Sequence, residues 1–184
     1  MFFLQMSGVP GSGKSTLARA VGQAAGAVVI DHDLVKSALL QSGPADLDAG
    51  LAGKMSYEIE WALIDFHLAQ GQSVILDSPC LYDVMVERGT ALAQKHRATY
   101  RYVECVLDDI REVDHRLQTR ERMISQNDRV PSEAAFRKAF AGSKKPADVK
   151  CLVVDTSQAL ESYLGEVLRY VAERVEEENG FVLK

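Results

Sequence analysis

Phe2-Phe3-Leu4-Gln5-Met6, then Gly8-Val9-Pro10-Gly11-Ser12-Gly13-Lys14-Ser15-Thr16, is the stretch whose reading decides the fold. The first run is short, continuous and apolar, and reads as a buried strand that stops at Gly8. The second fits G-x-x-x-x-G-K-[S/T] at every fixed position. Its glycines let successive backbone N–H groups curl toward one point without Cβ atoms in the way of an approaching phosphate. A helix that begins at the end of this turn adds its N-terminal partial positive charge. In such a turn Lys14 reaches the β- and γ-phosphates of a nucleotide, and the Ser15 hydroxyl is placed to ligate Mg²⁺. Gly8, Gly11, Ser12, Gly13, Lys14, Ser15 and Thr16 are therefore the expected ATP-binding residues.

Working outward, strand and helix patterns alternate. Helical spacing runs from Thr16 to Ala25 and stops at Gly26, a C-cap glycine. Ala27–Ile30 reads as the second strand, Leu34–Leu40 as a short helix and Met55–Gln70 as a longer one. Ser73–Asp77 is the third strand, followed by a helix over Asp83–Lys95. Tyr100–Leu107 is the fourth strand, followed by an arginine-rich helix over Asp109–Met123 and another that begins at Ser132. Cys151–Val154 is the fifth strand, and Leu160–Glu178 a long last helix. Continuous apolar strands with helices between them are the mark of a parallel sheet covered on both faces. The expectation is a single α/β domain over residues 1–184, three-layered, with a mostly parallel five-stranded sheet.

The chain has 184 residues, with 47% hydrophobic and 26% charged, values of an ordinary globular domain. Its net charge of −5 speaks against a dedicated nucleic-acid binder. No stretch approaches the ~20 apolar residues of a membrane span, and no signal peptide is read at Met1. Cys80, Cys105 and Cys151 lack the spacing of a zinc site or a disulfide framework. A cytoplasmic location is expected. His32, His67, His96 and His115 have no metal-ligand spacing, and only His32 falls near the expected site.

Two classes of nucleotide machine are set aside by absences. No N-K-x-D guanine-reading motif occurs, since Asn127-Asp128 lacks the lysine. Asp77 is followed by Ser78 rather than by a glutamate that would polarise water. With Gly8–Thr16, an Asp just past strand two and an Arg-rich helix after strand four, the chain resembles the small P-loop kinases. That group includes polynucleotide kinase, zeta toxin and chloramphenicol phosphotransferase, and its members are often described only as AAA-type ATP-binding proteins or predicted kinases.

The resemblance implies roles for particular residues. Asp33 matches the Asp of the family's D-x-x-R pattern and would act as general base toward an acceptor hydroxyl. Lys36 replaces the Arg, which keeps the charge and loses bidentate phosphate geometry. The competing reading is that Asp33 only caps the helix beginning at Leu34. Asp77 would be a Walker-B-like carboxylate serving Mg²⁺ with Ser15. Residues 111–130 would form a lid whose Arg116 and Arg120, four apart on one helix face, neutralise the transferring phosphoryl group. The loop at Thr156-Ser157 would border the nucleobase, or simply cap the last helix. Tyr57 and Trp61 share a helix face and would line an acceptor pocket or pack in the core.

The expected activity is ATP- and Mg²⁺-dependent transfer of the γ-phosphoryl group to a small-molecule hydroxyl. The rivals are a 5′-polynucleotide kinase and a regulatory nucleotide-binding module with slow hydrolysis. Residues 95–150 carry 13 Lys or Arg against 9 Asp or Glu, a balance of +4, and the remainder carries −9. Residues 27–81 hold two lysines and no arginine, far outnumbered by carboxylates. A neutral or cationic acceptor is therefore expected, and a polyanionic one is not.

Overall fold

All six residues of β1 (Phe2–Ser7) are buried, so this strand has to lie inside the sheet with both faces covered. The computed structural model describes residues 1–173. In it β1 is the middle of a five-stranded sheet with the order β2-β3-β1-β4-β5. The other strands are β2 (Val28–Asp31), β3 (Val74–Asp77), β4 (Thr99–Val106) and β5 (Cys151–Asp155). Every pairing is parallel. After β1 the chain moves toward β2 on one side, and later it crosses to β4 on the other. The C-terminal end of β1 is thus a point where the strand order reverses, the place where open α/β sheets bind ligands.

Alternation along β1 sorts the two cores. Leu4 and Met6 face α1 (Lys14–Ala25) and α7 (Leu160–Ala172), packing with Leu17, Val21 and Val167. Phe3 faces the opposite layer, with Trp61, Ile64 and Leu68 from α3 (Ala49–Ala69) and Met85 from α4 (Asp83–Lys95). A third, smaller cluster lies above the sheet edge. It joins Val9 and Leu107 to Val113 and Leu117 of α5 (Ile110–Thr119) and Phe136 of α6 (Glu133–Ala141).

Several sequence expectations shift. The helix expected from Leu34 is α2 (His32–Ser42), and its N-cap is Asp31, whose carboxylate accepts from the N–H groups of Asp33 and Leu34. The capping role considered for Asp33 is therefore filled by Asp31. α3 starts at Ala49 rather than Met55 because Asp48 caps it, accepting from Gly50 and Leu51. α5 ends at Thr119, not Met123, and Arg120 is extended at φ −73°, ψ 151°. Arg116 and Arg120 accordingly do not share a helix face. Trp61 is buried in the core against α4, with the Arg88 guanidinium 5.5 Å from its ring centroid, so it does not line an acceptor pocket. The part of the last helix expected beyond residue 173, with Glu176-Glu177-Glu178, lies outside the described residues. Among the described residues no helix is long and apolar enough to cross a membrane.

The α4 layer sits directly on β1 because Gly89 has no side chain. A Cβ there would lie 3.2 Å from both Phe3 and Tyr100 and would overlap Gln5 Oε1. Gln5 is already committed, accepting from Tyr100 Oη at 2.7 Å and donating to Cys80 Sγ at 3.1 Å. Gly89→Ala is expected to destabilise the fold by about 1–3 kcal/mol despite its gain in helix propensity. Urea denaturation of the two proteins measures this, and an unchanged midpoint would contradict the close packing.

Candidate functional site

The turn after β1 is shaped by what it touches. Gly8 has φ +137°, and a Cβ on it would collide with the Cys105 carbonyl oxygen and with Ser12 Oγ. Gly13 caps α1 in the left-handed region at φ 82°. The Ser12 N–H donates to the Val9 carbonyl at 3.1 Å, closing the turn. Thr156, buried in the loop after β5, donates its hydroxyl to the Ser12 carbonyl at 2.8 Å. That contact braces the loop from outside, so neither Thr156 nor Ser157 caps α7, whose N-cap is Ala159. The Lys14 side chain folds back inside the turn, and its Nζ donates to the Val9 carbonyl at 3.2 Å. Ser12 Oγ is buried with no hydrogen-bond partner. A buried ammonium with one partner and an unpartnered hydroxyl inside a ring of N–H groups suit a polyphosphate.

Carboxylates gather beside this turn. Asp31 and Asp77 are register partners at the C-terminal ends of β2 and β3. Asp77 is buried, close to Lys14 and Ser15. Its pKa is raised, chiefly by burial, opposed by Lys14 and Ser15 and reinforced by Asp31 and Asp33. Ser15 and Asp77 thus sit together as oxygen donors, a set that fits a hard divalent cation. Thr16 is exposed in the first turn of α1.

Asp33 is held from the other side. Its carboxylate accepts from Gln126 Nε2 at 3.0 Å and Ser125 Oγ at 3.2 Å. Ser125 also bonds the Asp33 carbonyl and Ser37. The segment after α5 therefore returns across the sheet edge and fastens to α2. Nothing in residue types or spacing pointed to Ser125 and Gln126, because a thirteen-residue irregular stretch between helices, residues 120–132, has no period to read.

The two arginines expected on one helix face, Arg116 and Arg120, separate. Arg116 is committed to Glu112 at 2.7 Å and to the Thr156 carbonyl at 3.0 Å, on the β5 side. Arg120 reaches the other way, donating to the Asn127 carbonyl at 3.0 Å, with its Nε buried and unpartnered. Burial lowers its pKa, while Asp33 and Asp31 act in the opposite sense. A guanidinium with a free buried N–H, facing two carboxylates beside the phosphate turn, is arranged to receive an anion.

His32, one residue before Asp33, is buried and bonds Glu60 Oε1 through Nδ1 at 2.8 Å. Its ring stacks on Tyr57 at 4.3 Å between centroids. This pair anchors α2 on α3 and so fixes where Asp33 starts. The cysteines are inert by environment: burial pushes the Cys80 thiol up to about 11 and Cys105 up to about 12.

The family model described as an AAA domain (AAA_33) matches residues 4–146, which span the turn, the carboxylates and the segment with Arg116 and Arg120. The chain belongs to the AAA_33 family. No curated protein matches this AAA_33 chain by sequence. Among solved structures it is similar to a candidate kinase from Chloroflexus aurantiacus, with TM-score 0.72, 21% identity and coverage of 92% of this chain and 97% of that one. It is also similar to the APS kinase of Mycobacterium tuberculosis solved with AMPPNP and APS (TM-score 0.60, 16% identity, 94% and 98% coverage). A third is Kti12 of Chaetomium thermophilum solved with ADP-AlF₃ (TM-score 0.62, 15% identity, 93% and 100% coverage). At these identities the likeness establishes a shared P-loop α/β fold.

Burial makes the Asp77 charge costly in the free AAA_33 protein. The neutral acid is favoured in the folded state, so the cost appears as pH rises from the unfolded carboxylate value, about 4, toward the raised folded one, and it persists above. Asp77→Asn removes it. The variant is expected to melt at a higher temperature than the parent at neutral pH without nucleotide or Mg²⁺, the difference vanishing at low pH. Thermal melts across that range test this, and a difference that grows on acidification would refute it.

Proposed function

We propose that the protein is an ATP- and Mg²⁺-dependent phosphotransferase that moves the γ-phosphoryl group of ATP to the hydroxyl of a small molecule. The observation that carries this reading is the lid segment returning to Asp33 beside Lys14, Asp77 and Arg120. A pure hydrolase gains nothing from covering its phosphate site, whereas transfer to a chosen hydroxyl requires water to be kept out. The P-loop kinase fold supports the same class of activity.

In this reading the N–H groups of Gly11–Ser15 and the Lys14 ammonium hold the β- and γ-phosphates of the substrate ATP. Ser15 and Asp77 would hold Mg²⁺, which supplies neutralisation of the phosphate charge. The acceptor hydroxyl takes the place of Gln126 or Ser125 at the Asp33 carboxylate. Its oxygen forms the new bond to the γ-phosphorus as the bond to the ADP oxygen breaks, and ADP leaves with the electron pair. The hydroxyl proton passes to Asp33. Arg120 stabilises charge on the equatorial oxygens of the transferring group. Arg116, tied to the Thr156 carbonyl, holds the lid's first half to the β5 loop and so shapes the nucleotide end. The acidic setting of β2 and β3 supports a neutral or cationic acceptor.

Acceptor-dependent ADP release tests the reading directly. Lys14→Ala is expected to abolish it while leaving the fold intact. Arg120→Ala should lower kcat by about 10²–10³, while Arg116→Ala should act mainly on the KM for ATP. Asp33→Asn should lower kcat with little change in ATP binding. ATP binding with no acceptor-dependent release from a broad panel of hydroxyl compounds would favour the regulatory module. Release only with 5′-hydroxyl oligonucleotides would favour a polynucleotide kinase.

A further inference from the structure

Beside the phosphate turn lies a cavity of about 280 Å³, at the small end of the range for small-molecule sites. Its floor is the first half of the turn, Gly8 to Pro10, with the end of β4. Its walls and roof come from Leu81 in the loop after β3, Val113 and Leu117 of α5, and Phe136 and Phe140 of α6. The lining is overwhelmingly apolar. Its polar groups are few: Ser7 and Ser143, whose hydroxyls bond each other at 2.8 Å, Glu104, which is paired with Lys145, and Asn127 and Arg129 of the lid.

The position of this cavity ties it to the reaction. Val9, in its floor, accepts the hydrogen bond from the Lys14 ammonium. One residue therefore separates the cavity from the group that holds the γ-phosphate. On the lid side, Gln126 binds the Asp33 carboxylate and the next residue, Asn127, lines the cavity. Consecutive Cα atoms are ~3.8 Å apart. A molecule filling the cavity can thus extend one polar end over the turn toward Asp33.

We propose that this cavity is the acceptor site and that the acceptor is a small alcohol with an apolar, ring-sized body rather than a sugar or another polyol. The inference rests on the phosphotransferase reading and narrows it. A polyol would leave several hydroxyls unpaired against Val113, Leu117 and Phe136, and every hydroxyl buried without a partner weakens binding. An apolar body gains by leaving water there, and one hydroxyl is all that the transfer needs. The oxygen of that hydroxyl bonds to the γ-phosphorus, its proton passes to Asp33, and ADP departs with the electrons of the broken bond.

The experiment pairs turnover with binding. Monocyclic aromatic and alicyclic primary alcohols are compared with hexoses and pentitols of similar size. ADP release and the phosphorylated product are followed by ³¹P NMR, and binding to the protein by saturation-transfer NMR. The expected result is product with the apolar alcohols and little with the polyols. Ala139→Leu, which narrows the cavity, and Leu81→Asp, which makes its wall polar, should each raise the alcohol KM by about tenfold or more. Neither should move the ATP KM. Leu81 is partly exposed, so its variant keeps the test open should Ala139→Leu fail to fold. Phosphorylation of polyols in preference to apolar alcohols would overturn the acceptor assignment and leave the kinase standing. Alcohols that bind in the cavity, sensitive to both variants, with no product from any compound would preserve the pocket and sink the kinase. No binding and no product would overturn both.

Discussion

The close approach of Gly8 to the Cys105 carbonyl is the constraint on which the site depends. The turn leaves β1 with its backbone pressed against the end of β4, where no side chain fits. That contact sets the direction in which the following N–H groups curl. It also places Val9 so that its carbonyl receives both the Ser12 N–H and the Lys14 ammonium. Thr156 then holds the Ser12 carbonyl from the β5 side. A loop fixed at both ends in this way presents its N–H groups without rearrangement, which is how a preorganised anion site gains its strength. The parallel sheet matters for the same reason: it delivers β1, β3 and β4 to one edge with a register that puts Asp77 and Asp31 side by side.

Electrostatics at this edge are deliberately unbalanced. Asp31, Asp33 and Asp77 are near one another, and Asp77 is strained by burial. Asp31 spends its charge on the N-terminus of α2, where the helix dipole favours it. Asp33 is satisfied by neutral donors from the lid, so it stays available to a hydroxyl. Arg120 approaches from the opposite side and is itself disfavoured by burial.

The fold was legible because its signals were local and redundant. The motif at Gly8–Ser15 sits between an apolar run and a helix with a glycine C-cap, and the later strands repeat the pattern with Gly or Asp at their ends. The all-parallel arrangement follows from those connections. Boundaries failed where side-chain caps decided them. Asp31 and Asp48 each bind two N–H groups one turn ahead, which moved the starts of α2 and α3 earlier than apolar spacing implied. Arginine-rich composition was read as a continuous helix to Met123, yet α5 stops at Thr119. Helix propensity continued there, and tertiary contacts did not: Arg120 instead turns toward Asn127, and Val130 N–H is captured by Asp114. Trp61 and Tyr57 share a face as the spacing required. Which neighbour that face meets was settled by β1 and α4, and no local pattern encodes that.

The segment from α5 to α6 is two pieces with different attachments. The first half is packed, with Val113 and Leu117 buried against the phosphate turn and Arg116 bonded to the β5 loop. Moving it would expose apolar surface and break a charged hydrogen bond. The second half is held to α2 by a few hydrogen bonds from neutral donors to the Asp33 carboxylate, each worth about 1.5–3 kcal/mol. In the phosphotransferase reading proposed above, an incoming hydroxyl would offer Asp33 a bond in exchange for that of Gln126. On that reading, the polar contacts of residues 120–131 with Asp33 are what an acceptor has to displace, whereas α5 is held by buried apolar packing.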